Sequence, residues 1–168
     1  EMADLFESQL FVLGKHGKAL EEELSALAGG RIAVGCANGS DALLLALMAL
    51  DVKPGDGVIT SSFTFFATGG AVVRAGARPL FIDIHPRDFN LDPEALEEFL
   101  AKHTRVRADD TLEHAPSGTP IRYLMPVHLY GQAADMERLA PVAKTHGLRI
   151  IEDMAQALGA EVAGQQVG

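Results

Sequence analysis

Four short segments hold the residues whose types and spacing could do chemistry. The first, Gly35-Cys36-Ala37-Asn38-Gly39-Ser40-Asp41, joins an apolar run to a helical pattern. Glycine lets backbone approach a ligand closely, and the N–H groups of a first helical turn suit a phosphate, to which the Ser40 hydroxyl could add. The same residues also make an ordinary N-cap, Ser or Asp ahead of an apolar helix. By itself the segment leaves both uses open. It is neither the dinucleotide fingerprint nor the nucleoside-triphosphate loop, because it lacks both glycine spacings and no Lys follows.

The second segment is Ile150-Ile151-Glu152-Asp153-Met154-Ala155-Gln156. Asp153 lies just past a fully apolar run, so its carboxylate is expected at the ligand edge of a sheet. There it could bind a cation, a metal or a protonated ring nitrogen, or cap a short helix. With no His or Cys at ligand spacing, a metal site is not expected. Gln156, three residues on, projects from the same side if the segment is helical. The third segment, Ser61-Ser62-Phe63-Thr64-Phe65-Phe66-Ala67-Thr68, places three aromatics at a strand end, where one could stack on a planar ligand. Phe63 and Phe66 are expected in the core. The fourth, Val127-His128-Leu129-Tyr130-Gly131-Gln132, offers His128 or Tyr130 to a substrate, although a lone His more often holds structure together. The histidines at 16, 85, 103, 114 and 146 have no ligand spacing and are expected at the surface. Glu21–Glu23 and Glu97-Glu98 read as solvated helix faces.

Residues so placed need a scaffold, and the chain shows one. Short apolar runs alternate with helical patterns, the mark of strand–helix–strand units. Helical spacing covers Leu5–Phe11 and Lys18–Ala28, the latter stopped by Gly29-Gly30. A short strand is expected at Arg31–Gly35, then a helix headed by Ser40 and closed by Lys53-Pro54-Gly55-Asp56. Val58–Ser61 reads as strand and Phe65–Ala75 as helix, weakened by about 1 kcal/mol for each of Gly69 and Gly70. Arg78–Ile84 is strand, and Asp92-Pro93 opens a helix to Lys102. The polar stretch Arg105–Pro120 reads as a long surface loop. Strands at Ile121–Val127 and Leu148–Glu152 flank a helix whose main part Pro141 is expected to start and which His146-Gly147 is expected to end. The expected fold is α/β, three layers with helices on both faces of a mostly parallel sheet. In such sheets ligands bind beyond the carboxyl ends of the strands, where all four segments fall.

At 168 residues the chain amounts to one domain. With 48% hydrophobic and 22% charged residues it has a globular composition, so disorder is excluded. A net charge of −9 argues against nucleic acid and against an anionic membrane surface. The apolar run Ala42–Leu50 falls far short of the roughly 20 residues of a bilayer crossing, and no secretory signal is visible. One cysteine, Cys36, excludes an intrachain disulfide and suits a cytoplasmic protein. Both ends read as internal to a longer protein.

Taken in order, six stretches resemble the DegT/DnrJ/EryC1/StrS family of sugar aminotransferases, pyridoxal-phosphate enzymes of fold type I. They are Ala37-Asn38-Gly39-Ser40-Asp41-Ala42-Leu43, Ser62-Phe63-Thr64-Phe65-Phe66-Ala67-Thr68, Phe81-Ile82-Asp83-Ile84, Phe89-Asn90-Leu91-Asp92-Pro93, His128-Leu129-Tyr130-Gly131-Gln132 and Ile151-Glu152-Asp153-Met154-Ala155-Gln156. The resemblance implies that residues 1–168 form part of the cofactor-binding large domain, without the C-terminal small domain. It implies that Ser40 and the N–H groups of Ser40 and Asp41 hold the cofactor phosphate, with Gly39 shaping the turn. Phe65 matches the ring that stacks on the pyridine, Asp153 the acid paired with the pyridine nitrogen, and Gln156 the residue beside the 3-hydroxyl. The lysine that bonds the cofactor is expected beyond Gly168, since Lys15, Lys18, Lys53, Lys102 and Lys144 all precede Asp153. No catalytic residue is therefore expected within the chain. The implied reaction moves an amino group from Glu or Gln to a keto sugar on a nucleotide, in a homodimer. Two rivals are a deoxysugar dehydratase of the same family, with His at the covalent position, and a non-catalytic α/β module for another phosphate ligand. The stretch Arg105–Pro120 is longer than the family pattern leads one to expect.

Overall fold

The computed structural model describes residues 2–168. Two compact units divide the chain, one ending at Ala37 and the other spanning Asn38–Gly168. The first unit holds α1 (Met2–Ser8) and α2 (Lys15–Leu27). Gln9, at φ 54°, ends α1 before the expected Phe11. Gly29 and Gly30, at φ 67° and 85°, take the left-handed backbone that ends α2. The strand expected at Arg31–Gly35 does not form. A strand needs a ladder partner, and residues 2–37 contain no other. The Gly35 N–H donates instead to Glu21 Oε1.

The second unit has the expected α/β architecture. Its elements are α3 (Gly39–Ala49), β1 (Gly57–Ser61), α4 (Phe66–Arg74), β2 (Arg78–Ile82), α5 (Pro93–His103), β3 (Thr104–Val106), β4 (Leu112–His114), β5 (Thr119–Met125), α6 (Met136–Thr145), β6 (Arg149–Ile150), β7 (Glu161–Val162) and β8 (Gln165–Gln166). A 3₁₀ turn at Leu129–Gly131 follows β5. The sheet runs β2-β1-β5-β4-β3. β1 pairs parallel with both β2 and β5. Along the other edge of β5, Ile121 pairs antiparallel with Leu112 of β4, and Tyr123 and Leu124 pair parallel with β6. β7 and β8 form a separate antiparallel hairpin.

Period-two alternation sends neighbouring strand residues to opposite faces. Ile59, Ile121 and Leu124 pack with Leu96 and Leu100 of α5 and Leu139 and Ala143 of α6, Ile121 joining Leu124 because the β1–β5 register shifts between Gly57 and Val58, opposite Ile121 and Tyr123. Val58, Tyr123 and Met125 pack with Leu43 and Leu47 of α3 and Ala71 and Val72 of α4. Helices thus cover both faces, giving three layers. Thr60, fully buried, donates through Oγ1 to the Met125 carbonyl at 2.7 Å and ties the ends of β1 and β5 together.

Several expectations are corrected. Arg105–Pro120 is not a loop: it folds as the β3–β4 hairpin and docks on β5. Glu113, only 6% exposed, is what a polar composition concealed. Arg105 and Arg107 bond its carboxylate at 2.6 and 3.2 Å, which offsets its burial. Pro141 sits inside α6, because the helix starts at Met136, five residues earlier, capped by Asp135, which accepts from the Arg138 N–H. The strand expected over Leu148–Glu152 reduces to β6, with one parallel bridge, Val127 to Asp153, beyond it. Phe63 and Phe66 are exposed, not core. The inward face of α4 is Thr68, Ala71 and Val72, and Phe66 stands on the opposite side. α4 runs through Gly69 and Gly70, where a Cβ would press on the ring of Phe81 or Phe66 at 3.1 Å. Of the histidines expected at the surface, His85, His114 and His146 are half-buried, and the His114 ring stacks on Phe99 with centroids 5.7 Å apart.

Candidate cofactor site

The carboxyl ends of β1, β5 and β6, with the N-terminus of α3, surround a cavity of about 190 Å³. It is lined by Gly39 and Ser40 of α3, Thr64, Phe65 and Thr68, and Asp153 and Gln156 past β6. A cavity of about 150 Å³ holds benzene, so this volume suits a substituted single ring. Gly39, Ser40, Phe65, Asp153 and Gln156, five residues picked from sequence, thus meet on one space.

The anion-accepting end belongs to α3. Asn38, not Ser40, is the N-cap: its Oδ1 accepts from the Asp41 N–H at 2.9 Å. That corrects the expectation for Asp41. Its N–H is already used, and its carboxylate meets Asn38 Nδ2 at 3.0 Å and Arg74 at 3.4 Å. The cap leaves the N–H groups of Gly39 and Ser40 without intrahelical partners, and the Ser40 hydroxyl stands beside them. Together with the helix dipole they favour a negative group at this end.

Phe65 occupies the N-cap of α4 in extended conformation (φ −66°, ψ 144°). It is 68% exposed. A large apolar ring left this open on a cavity wall is available to a planar ligand. The turn before it is shaped by Ser61, whose Oγ donates to the Phe63 carbonyl at 3.1 Å.

Asp153 forms the opposite pole and is 6% exposed. Its backbone is fixed on both sides, N–H to the Pro126 carbonyl and carbonyl to the His128 N–H, each 2.9 Å. Its Oδ2 accepts from Thr68 Oγ1 at 2.8 Å, and its Oδ1 from the Ala155 N–H at 3.3 Å. A carboxylate so buried favours a cationic donor in the cavity. Sequence reasoning missed Thr68. A Thr in an apolar helical stretch gives no signal until its partner, 85 residues away, is known.

Of the two residues expected to serve a substrate, the structure brings neither into the cavity lining. His128 is fully buried. Its Nδ1 accepts from the Ala134 N–H at 2.9 Å, so the ring proton sits on Nε2 and is donated to Glu152 Oε2 at 2.9 Å. Both nitrogens are occupied in structural bonds. Tyr130, at φ 53° and ψ 33°, points its ring toward Phe63, with centroids 6.5 Å apart. Its N–H donates to Gln156 Oε1 at 3.1 Å, which leaves the Gln156 amide nitrogen as a donor. Asn90 holds the same turn, accepting from the Leu129 N–H and donating to the Gln132 and Ala133 carbonyls. Among the described residues no cluster of three or more His, Cys, Asp or Glu could hold a metal ion, and no helix is long and apolar enough to cross a membrane. Lys53, Lys102 and Lys144 all lie outside the cavity lining.

The chain is 46% identical over 165 residues to a "pleiotropic regulatory protein" of Geobacillus stearothermophilus, covering 98% of this chain and 40% of that protein. It is 44% identical to a UDP-N-acetyl-3-dehydro-alpha-D-glucosamine 3-aminotransferase of Acidithiobacillus ferrooxidans, covering 94% of this chain and 38% of the relative. The crystal structure of S. venezuelae DesV in complex with a ketimine intermediate superposes with a TM-score of 0.83 at 37% identity, covering 99% of this chain and 40% of DesV. The chain thus spans about two fifths of the length of these relatives. The model of the DegT/DnrJ/EryC1/StrS aminotransferase family matches residues 1–168 throughout, and the chain belongs to that family.

Proposed function

We propose that the full-length protein is a pyridoxal-phosphate aminotransferase moving an amino group from Glu or Gln to a keto sugar carried on a nucleotide. One observation carries the reading. A helix N-terminus, an exposed aromatic ring and a buried carboxylate converge on one cavity of single-ring size, as a phosphorylated pyridine requires. The relatives named above include an aminotransferase acting on such a sugar.

Each residue then has a stated task. The N–H groups of Gly39 and Ser40 and the Ser40 hydroxyl hold the phosphate. Phe65 lies against the ring and excludes water from that face. Asp153 holds a proton at the ring nitrogen, and Gln156 donates its amide beside the 3-hydroxyl. The bound group supplies an electron sink for charge that develops at the substrate carbon. The test is spectroscopic: full-length protein should carry cofactor absorbance that changes with Glu or Gln and is restored by the keto sugar. Protein that binds phosphate ligands but never this cofactor would instead be a binding module.

The parent is further proposed to be a cytoplasmic homodimer, for which Phe65, Phe66, Val73 and Phe81 supply exposed apolar surface. A fully active protein that sediments as a monomer overturns the dimer.

The 168-residue chain by itself should fail to hold the cofactor covalently at one site. Covalent holding needs an amine at the ring's aldehyde, and Lys53, Lys102 and Lys144 lie in a turn or near helix ends outside the cavity lining. Borohydride reduction with cofactor, followed by peptide mass mapping, should show low, scattered labelling. A single stoichiometric adduct on any of the five lysines would refute this.

A further inference from the structure

Asp153 is held by two threonines that have as yet no role. Thr68 is 1% exposed, and its Oγ1 is 2.8 Å from Asp153 Oδ2. Thr64 Oγ1 lies 2.9 Å from Thr68 Oγ1. A hydroxyl has one proton to give, and an ionised carboxylate can only accept it. The Thr64–Thr68 contact must then be donated by Thr64. The result is a one-way chain, Thr64 to Thr68 to Asp153, in which each bond polarises the next. The other carboxylate oxygen has the Ala155 N–H at 3.3 Å, beyond the usual range for a strong bond.

We infer that Thr68, backed by Thr64, is a positioning residue that holds the Asp153 carboxylate turned toward a cationic ring nitrogen in the cavity. The inference rests on the cofactor reading given above. Its physical content is a division of labour. Thr68 occupies Oδ2 and fixes the plane of the carboxylate, which leaves Oδ1 to face the ring nitrogen. Thr68 also joins α4 to the segment past β6, and its branched Cβ restricts χ1, which limits where Oγ1 can stand. An apolar side chain of the same shape would fill the space and lose both effects.

The experiment loads full-length protein with pyridoxal phosphate labelled with ¹⁵N in the ring. It reads the ring ¹⁵N shift and the cofactor dissociation constant. Wild type should show a protonated ring nitrogen. Thr68→Val should weaken binding about tenfold, the effect of one charge-assisted hydrogen bond, and displace the shift toward the unprotonated ring. Thr68→Ser should restore both. Thr64→Val should move the shift the same way by a smaller amount, and because Thr64 is half-buried it carries the test should Thr68→Val not fold. A Thr68→Val protein, or failing that a Thr64→Val protein, with wild-type shift and affinity overturns the relay. If Asp153→Asn leaves the ring shift unchanged, the cofactor reading itself falls, and the relay with it.

Discussion

Asp153→Asn in the full-length protein is expected to fold normally and to lose about 10²–10³-fold in turnover, the usual scale for removing one preorganised electrostatic contact. The substitution is nearly isosteric, and the surrounding bonds show what it does. Thr68 donates to Oδ2 at 2.8 Å, so in the variant it keeps the amide oxygen as its acceptor. The amide NH₂ must then occupy the position of Oδ1. With the cofactor held as proposed, a donor would then face the ring nitrogen in place of an acceptor, so the ring would no longer keep its proton there and its capacity as an electron sink would fall. Steady-state assay beside thermal unfolding checks this, the expected pattern being a fallen kcat with an unmoved midpoint. Wild-type turnover would remove Asp153 from the site.

Much of the site was legible in the sequence, for a reason particular to this fold. Where parallel strands end, backbone geometry places the next few residues at one edge of the sheet. Reading strand ends from apolar runs therefore located Phe65, Asp153 and Gln156 without any knowledge of contacts, while Ser40 was found by the start of its helix, since the strand expected before it does not form. The six ordered stretches pointed to the family, and the match over residues 1–168 shows that family.

What stayed hidden was of two kinds. One was the direction of single hydrogen bonds. Ser, Asp and Asn can all cap a helix, and only coordinates show that Asn38 caps α3 and takes the Asp41 N–H. The other was pairing between distant segments. The β3–β4 hairpin has strands of three residues each, too short for alternation to show, and its buried acid is satisfied only once Arg105 and Arg107 fold over it. Thr68 and Asn90 belong here too, since both act through partners about 40 or more residues away.

His128 is where a site reading and a structural reading diverge most sharply. His128→Ala is expected to destabilise the protein by about 3 kcal/mol, combining a cavity with a stranded polar group. The ring is fully buried, and removing it leaves the buried Ala134 N–H with no acceptor and takes one donor from Glu152 Oε2, which keeps the Gly168 N–H at 3.1 Å. Those losses fall on the turn 128–134, which Asn90 also clamps, so the turn should loosen before the sheet does. Tyr130 donates from that turn to Gln156, and cofactor affinity should fall by only a fewfold while the protein stays folded. His128→Asn offers an internal check. Its Oδ1 can stand where Nδ1 stands and accept from Ala134, while the bond to Glu152 is lost. It should therefore recover about half of the lost stability. Urea unfolding of the three proteins, with cofactor titration below the transition, separates the readings. A His128→Ala protein of wild-type stability but with turnover abolished would return His128 to the substrate and overturn the structural assignment.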